Sequence, residues 1–204
     1  MFAADYLPRN SKADLSQLKK AAAKCQGCSL YLPATQTVFG EGNAKARILF
    51  VGEQPGDKED LQGKPFVGAA GQLLNRALED AGIDKKRIYL TNAVKHFKFE
   101  ERGKRRLHKK PKTSEINACC PWLEAEIAKI QPHVVVCLGA TAIRSIFNKT
   151  FSVSSYRGQF LQSDLATKVL ITMHPSAILR IIDRDERHAA YKLFVEELKK
   201  IASL

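Results

Sequence analysis

Apolar residues along this chain concentrate in short, uninterrupted runs. Continuous apolar runs of this length are typical of strands that are buried on both faces of a parallel sheet. They are RILFVG (47–52), RIYLTNAV (87–94), HVVVCLG (133–139) and KVLITMH (168–174). Each run is too short to cross a bilayer as a helix, so we expect no membrane association of that kind.

Segments with apolar residues at helical spacing lie between and around these runs. They cover residues 11–25, with Ser11 as the predicted N-cap, and residues 68–82, 113–130, 139–147 and 183–202. Strands that alternate with helices predict an α/β fold. We expect a three-layer α/β/α sandwich with a central, four-stranded, mostly parallel sheet, built as a single domain over residues 1–204.

Polar residues follow the predicted strands, at the carboxyl ends where open α/β sheets bind ligands. Taken singly, such residues are more typical of loops and helix caps. Their occurrence at several strand ends favours one shared site. The residues are Glu53, Gln54, Asp57, Asn92 and His174.

The chain carries a formal net charge of +12, which favours an anionic partner, most often nucleic acid. Positive charge peaks in GKRRLHKKPK (103–112), where His108 lies among Lys and Arg residues. Composition alone favours a solvated basic stretch here. The N-terminus lacks the apolar region of a signal peptide, so we expect a cytoplasmic protein. No feature of the sequence indicates an oligomer, and we expect a monomer.

The cysteines need an explanation other than disulfides, which are uncommon in the cytoplasm. Cys25 and Cys28 form a Cys-x-x-Cys pair after a predicted helix, whereas a thioredoxin-type pair begins a helix after a strand. A metal fits this placement better, with Cys119 and His96 as further candidate ligands. From the residues alone, zinc, an iron–sulfur cluster and a merely buried pair all stay open.

Four segments together resemble the iron–sulfur uracil-DNA glycosylases. They are GEQPGDKEDLQGKPFVGAAGQLL (52–74), YLTNAVKH (89–96), ACCPWL (118–123) and MHPSAILR (173–180). The likeness runs from about Cys25 to the last helix. Gln54 and the GKRRLH loop resemble one subgroup, the X-type, whose histidine attacks the deoxyribose and stays attached.

The resemblance implies a 4Fe-4S cluster with a structural role. Cys25, Cys28 and Cys119 match cluster ligands, and His96 stands where the ordinary enzymes carry a third cysteine. The implied ligand set is therefore three cysteines and one histidine. Cys120 falls where a basic residue is usual and is read as a bystander. The N-terminal Cys-x-x-Cys segment would close the cluster and tie the basic loop to the body.

The resemblance also assigns roles to the rim residues and to the basic loop. Catalysis is assigned to His108, Glu53, Gln54 and His174. Uracil binding is assigned to Phe66, which would stack on the ring, to Asn92, which would read its edge, and to Asp57. DNA binding is assigned to Lys104, Arg105, Arg106, Lys109, Lys110 and Arg180. Ile178 and Leu179 would form either an apolar wedge at the DNA or a buried helical turn.

These roles form one chemical hypothesis. The expected partners are uracil-containing DNA, with single strands preferred, and free uracil as product. Cations around His108 disfavour its protonation, so we expect a neutral, nucleophilic imidazole that bonds to the sugar while Glu53 takes the proton. The alternatives are a glycosylase that uses water and turns over, a non-catalytic metal-dependent nucleic-acid-binding module, and an iron–sulfur redox protein.

Overall fold

The predicted sheet forms the centre of the fold. The computed structural model describes residues 2–10 and 12–203. Its strands are β1 (Glu41–Gly42), β2 (Ile48–Gly52), β3 (Ile88–Asn92), β4 (Phe99–Arg102), β5 (Arg105–His108), β6 (Val134–Leu138), β7 (Phe160–Leu161) and β8 (Val169–Thr172). The order of the main sheet is β1-β3-β2-β6-β8-β7, and its four central strands are parallel. This confirms the predicted fold class.

The main sheet is wider than the sequence predicted. Strands β1 and β7 pair antiparallel at its two edges, so the described residues form six strands in place of the expected four. Each of these edge strands has two residues. A strand of that length shows no periodicity, so no sequence pattern predicted it.

Helices cover both faces of the sheet. They are α1 (Leu15–Ala22), α2 (Asp57–Gln62), α3 (Ala69–Asp80), α4 (Thr113–Ile130), α5 (Ala140–Phe147), α6 (Val153–Tyr156), α7 (Pro175–Leu179) and α8 (Arg184–Lys199). Short 3₁₀ helices span Ala3–Tyr6, Ser29–Tyr31 and Lys85–Arg87. None of the helices in the described ranges combines the length and apolar content that a transmembrane span requires.

Alternating residues of each central strand enter two separate cores, because side chains of a strand point to opposite faces. In β2, Ile48 and Phe50 pack with α3 and α8, whereas Leu49 and Val51 pack with α4 and α5. All four are fully buried. Burial on both faces explains why the strands appear in the sequence as continuous apolar runs.

The N-terminal segment packs against α4 in a third core. Leu18 and Ala22 of α1 lie with Cys25 against the fully buried Trp122. Helix α1 begins later than predicted, because Asp14 accepts a hydrogen bond from the backbone of Gln17 and caps the helix there. The predicted N-cap, Ser11, lies outside the described residues.

A buried ion pair joins the end of β3 to α4. Lys95 Nζ lies 2.5 Å from Glu126 Oε2, and both side chains are almost completely buried. Lys95 Nζ also donates to the backbone oxygen of Asn92, and Glu126 accepts from the hydroxyl of Tyr89 and the backbone of Gly40. Every charge is thus matched by hydrogen bonds, which a buried pair requires.

The basic loop of the sequence is a β-hairpin formed by β4 and β5. Arg106 faces the body of the protein, with Nε 2.6 Å from Asp57 Oδ1 and Nη1 2.6 Å from Asp60 Oδ2. Its guanidinium also lies over the rings of Phe97 and Phe99. Asp60 is fully buried, so this arginine supplies the cation that its carboxylate needs.

Gln54 holds the base of the same hairpin. Its Nε2 donates to the backbone oxygens of Lys98 and Lys109, at 3.1 and 3.0 Å, and its Oε1 accepts from the backbone of Lys98. Three hydrogen bonds from one side chain fix the positions at which the chain enters and leaves the hairpin.

The buried pair predicts a large cost for removing one of its charges. Glu126→Gln leaves the ammonium of Lys95 buried without a counter-charge, and we expect the free energy of unfolding to fall by about 3–5 kcal/mol. Lys199→Met, which breaks an exposed pair with Glu196, should cost less than about 1 kcal/mol. Urea titration followed by circular dichroism measures both. Equal losses of unfolding free energy in the two variants would contradict the role given to the buried Lys95–Glu126 pair.

The Arg106 contacts predict local opening of the hairpin. Arg106→Gln removes charged hydrogen bonds worth about 2 kcal/mol, so protection of the β5 amides from hydrogen exchange should drop roughly thirtyfold. The matched control is Arg105→Gln, since Arg105 is the exposed neighbour on the same strand. Hydrogen exchange read by mass spectrometry compares the variants, and an equal loss of protection in both would overturn the role of Arg106.

Candidate active site

A cleft of about 850 Å³ opens at the carboxyl ends of the central strands, where the sequence predicted a site. Side chains from distant parts of the chain meet there because the parallel strands bring their ends to one edge. Of the predicted site residues, those that line the cleft are Glu53, Gln54, Phe66, Asn92, His108, Lys110, His174 and Arg180.

An aromatic ring and an amide lie together on the floor of the cleft. Gly52 pairs with Asn92 in the sheet register. A Cβ atom on Gly52 would lie 2.3 Å from Asn92 Oδ1 and 2.7 Å from Phe66 Cζ. The missing side chain therefore leaves room for both groups. The result is a flat apolar surface beside a group that can donate and accept hydrogen bonds.

Phe66 adopts an unusual backbone conformation, with φ of 56°. A left-handed conformation costs a residue other than glycine about 1 kcal/mol or more, and such strain is concentrated at ligand sites. Helix α3 holds it in place, because Gly71 lies so close that a Cβ there would be 1.7 Å from Phe66 O. Glu59 bridges the flanking turns by accepting from the backbones of Gly56 and Gly68.

His174 is held as a neutral hydrogen-bond donor. Burial lowers its pKa to about 4, Arg180 and His108 act in the same direction, and Glu53 opposes them. Its Nδ1 accepts from the backbone N–H of Ser176 at 3.1 Å. A neutral ring with Nδ1 as acceptor carries its proton on Nε2. That proton is available to a ligand in the cleft.

His108 contacts the carboxylate that the sequence assigned to it. Its Nε2 lies 3.2 Å from Glu53 Oε1, and 48% of the histidine side chain is exposed. Burial raises the pKa of Glu53, but the hydrogen bonds from His108 and Thr141 and the electrostatic influence of the two nearby imidazoles outweigh it, so the pKa lies below its ordinary value. Glu53 is therefore an ionised base next to an accessible imidazole.

The hairpin cations divide into two groups. Arg106 was predicted to contact DNA, but its ion pairs with Asp57 and Asp60 make it an anchor within the protein, with 19% of its side chain exposed. Asp57 correspondingly binds Arg106 and is absent from the cleft lining, contrary to prediction. Lys109 is exposed and forms an ion pair with Glu100. Of the predicted DNA-binding residues, those that are exposed and form no ion pair inside the described ranges are Lys104, Arg105, Lys110 and Arg180.

Gln54 lines the cleft, yet its amide is occupied by the base of the hairpin. It positions the segment that carries His108, a role that differs from the direct catalysis that the sequence assigned. The wedge prediction also changes. Ile178 is fully buried, Leu179 is 37% exposed, and the most exposed apolar side chain of this region is Ile182, at 94%.

Three of the predicted metal ligands lie together in the core between α1 and α4. Cys25, Cys28 and Cys119 are close enough for the charge of one thiolate to act on the others. Cys25 Sγ accepts from Trp122 Nε1 at 3.3 Å, and Cys119 Sγ accepts from the backbone of Lys95 at 3.3 Å. Hydrogen bonds of this kind are typical of sulfurs that hold an iron–sulfur cluster.

His96 follows Lys95, whose backbone N–H donates to Cys119 Sγ. Burial lowers the pKa of His96 to about 4, with Asp60 opposing the effect, so the ring is neutral. Thr37 donates its hydroxyl to the backbone of Ala22 and lies 2.9 Å from His96 Nε2. The hydroxyl therefore accepts from Nε2–H, which leaves the lone pair on Nδ1 for a metal. Cys120 turns toward α5 and contacts the backbone of Ser145.

Thiolate sulfurs are the usual ligands of iron–sulfur clusters, and three of the four candidate ligands are cysteines. Throughout the described part of the chain, no three His, Cys, Asp or Glu side chains converge closely enough to bind one metal ion. The sulfurs of a four-iron cluster bind different iron atoms and are spaced more widely than the ligands of a single ion. Cys25 and Cys119, whose sulfurs accept N–H hydrogen bonds, have the character of cluster ligands.

Several residues of the site escaped the sequence analysis. Thr141 donates its hydroxyl to Glu53 Oε2 at 2.6 Å, and its only signal was its place in the GAT segment after β6. Asp60 binds Arg106, and Lys95 supports the strand that carries Asn92. These residues act through other side chains, so no motif of known chemistry marks them.

Comparison with known proteins agrees with this geometry. The family described as the uracil DNA glycosylase superfamily matches residues 39–199. The type-4 uracil-DNA glycosylase of Thermotoga maritima is 39% identical over 181 residues, 88% of each chain. That of Saccharolobus solfataricus is 37% identical, covering 81% of this chain and 77% of its own. That of Sulfurisphaera tokodaii is 35% identical, covering 93% and 84%. The chain therefore belongs to the uracil DNA glycosylase superfamily.

Proposed function

We propose that this protein removes uracil from DNA and ends covalently attached to the resulting abasic site through His108. The observation that carries the proposal is the contact of 3.2 Å between His108 Nε2 and Glu53 Oε1, at the mouth of a cleft that also holds Phe66 and Asn92. The proposal assigns the chain to the X-type subgroup, whereas the relatives named above are type-4 enzymes.

Uracil enters the cleft only after it leaves the base stack, because its glycosidic bond is inaccessible inside a duplex. Phe66 then supplies a flat apolar face for the ring. The amide of Asn92 is matched to a carbonyl and an adjacent N–H of uracil, since an amide both donates and accepts. Single-stranded DNA is the preferred substrate because extrusion of an unpaired base costs less.

Bond cleavage leaves the electron pair of the glycosidic bond on uracil. The Nε2–H of His174 stabilises that negative charge by donating to a uracil oxygen. The anomeric carbon becomes electron-deficient and accepts a lone pair from a ring nitrogen of His108, which forms the new carbon–nitrogen bond. The ring's remaining proton is shared with Glu53, whose carboxylate neutralises the charge that develops on the imidazole. The protein–DNA adduct lacks a good leaving group and persists.

Exposed cations at and near the cleft would hold the DNA backbone. Lys110 and Arg180 line the cleft, and Lys104 and Arg105 belong to the hairpin. Contacts of this kind fix the register of the nucleic acid without reading its sequence. Ile182, an apolar side chain that is 94% exposed two residues after Arg180, would occupy the gap that an extruded base leaves.

A 4Fe-4S cluster completes the proposal, held by Cys25, Cys28, Cys119 and His96. When bound, the cluster supplies a covalent cross-link between the N-terminal segment, α4 and the chain entering the hairpin. Cys119 and the backbone of Lys95 already meet at this point, one residue before His96. No electron transfer is required by the proposed chemistry, so the role is structural.

The covalent step is tested with uracil-containing single-stranded DNA on a denaturing gel. The unaltered protein should shift the DNA at a stoichiometry of one, and His108→Ala should abolish the shifted band because the nucleophile is gone. His188→Ala is the matched control, since His188 is exposed on α8, and it should react like the unaltered protein.

Other results of this experiment would favour one of the alternative functions. A His108→Ala variant that still shifts the DNA would exclude this histidine as the attacking group. Free abasic product in excess over enzyme would select a glycosylase that uses water. Absence of uracil release would select a non-catalytic nucleic-acid-binding module.

The cluster is tested with two adjacent cysteines. Purified protein should contain iron and absorb broadly in the visible, and Cys119→Ser should lose most of both because a ligand is removed. Cys120→Ser should keep them, since Cys120 faces α5. Elemental analysis and absorption spectra provide the readout. Bound zinc in place of iron, or iron retained by both variants, would refute the assignment.

A further inference from the structure

Thr141 contacts the carboxylate at the centre of the site but not the space where the substrate would lie. Its Oγ1 donates to Glu53 Oε2 at 2.6 Å, while the other carboxylate oxygen faces His108 Nε2 at 3.2 Å. Thr141 is 3% exposed. The three side chains form a chain of hydrogen bonds that runs from the interior to the mouth of the cleft.

We propose that Thr141 is a positioning residue that fixes the Glu53 carboxylate in the orientation from which it serves His108. The inference rests on the proposed function and adds a residue to it. One oxygen of the carboxylate is committed to the threonine hydroxyl, so the other is directed at the imidazole. Without this bond, rotation about the side-chain torsions of Glu53 would spread the carboxylate over several directions.

Both partners stand on rigid elements. Glu53 directly follows β2, and Thr141 is the second residue of α5, which begins immediately after β6. Gly139 makes this abrupt turn with φ of 86°, and a Cβ there would lie 3.1 Å from His174 Cβ. Since β2 and β6 pair in register, the distance between the hydroxyl and the carboxylate is set by the sheet. A site held on such elements is more precise than one held on loops.

The hydrogen bond also affects the charge of Glu53. A donor to the ionised form favours that form, and Thr141 is one of the groups that lower the pKa of Glu53 against the effect of burial. The other groups that face this carboxylate are His108 from the hairpin and His174 from the β8–α7 junction, with Lys110 and Arg180 at the rim. Thr141 contributes to the same balance without carrying a charge itself.

The test measures the single-turnover rate of adduct formation against pH for three variants. Thr141→Val keeps the shape and removes the hydroxyl, so the rate should fall about tenfold or more, and the acid limb should move to higher pH because Glu53 takes up a proton more readily. Thr141→Ser should restore both. Thr172→Val is the matched control, because Thr172 also donates from a buried strand end, to Glu197 at 2.5 Å. It should leave the acid limb unchanged.

A double-mutant cycle separates positioning from general stability. In a Glu53→Gln background, Thr141→Val should cause no further loss, since it acts only through the carboxylate. An unchanged rate and acid limb in Thr141→Val, or a full additional loss in the Glu53→Gln background, would overturn the role of Thr141. The proposed function fails separately, when the unaltered protein neither forms the adduct nor releases uracil.

Discussion

The contact between Arg106 and two carboxylates of α2 is the interaction on which the site depends. The hairpin carries many positively charged side chains, and their mutual repulsion opposes its folding. Asp60 is buried and needs a cation, and Arg106 supplies it at 2.6 Å. With this bond formed, the opposite end of the strand brings His108 to Glu53. Arg106 thus anchors the basic segment by directing its charge inward, while Gln54 holds the base of the hairpin.

Most of the fold could be predicted because its strands are buried on both faces and therefore appear as apolar runs. The same logic predicted the rim, since Glu53, Asn92 and His174 each end or follow such a run. The hairpin could not be predicted in this way. Its strands are short, mostly charged and show no buried apolar run, and contacts with distant residues stabilise them.

The sequence could not show which arginines pair within the protein and which stay exposed to bind a ligand. Arg105 and Arg106 are neighbours of the same type, yet alternate residues of a strand point to opposite sides. One is exposed, and the other is paired with Asp57 and Asp60. Ile178 and Ile182 differ for a similar reason, because one faces the core from a helix and the other follows it in a loop. Which side of a strand or helix faces the core can be read only from the three-dimensional structure.

Gly71 has a consequence for how the recognition of bases could evolve. Its backbone lies against the carbonyl of Phe66, with no space for even a methyl group. The position of Phe66 is therefore supported by main chain, which replacement of side chains cannot change gradually. To accept a bulkier purine lesion beside Phe66, a related enzyme would have to rebuild the turn before α3. We therefore expect changes of substrate range at this position to arise by insertion or deletion, and only rarely by point substitution.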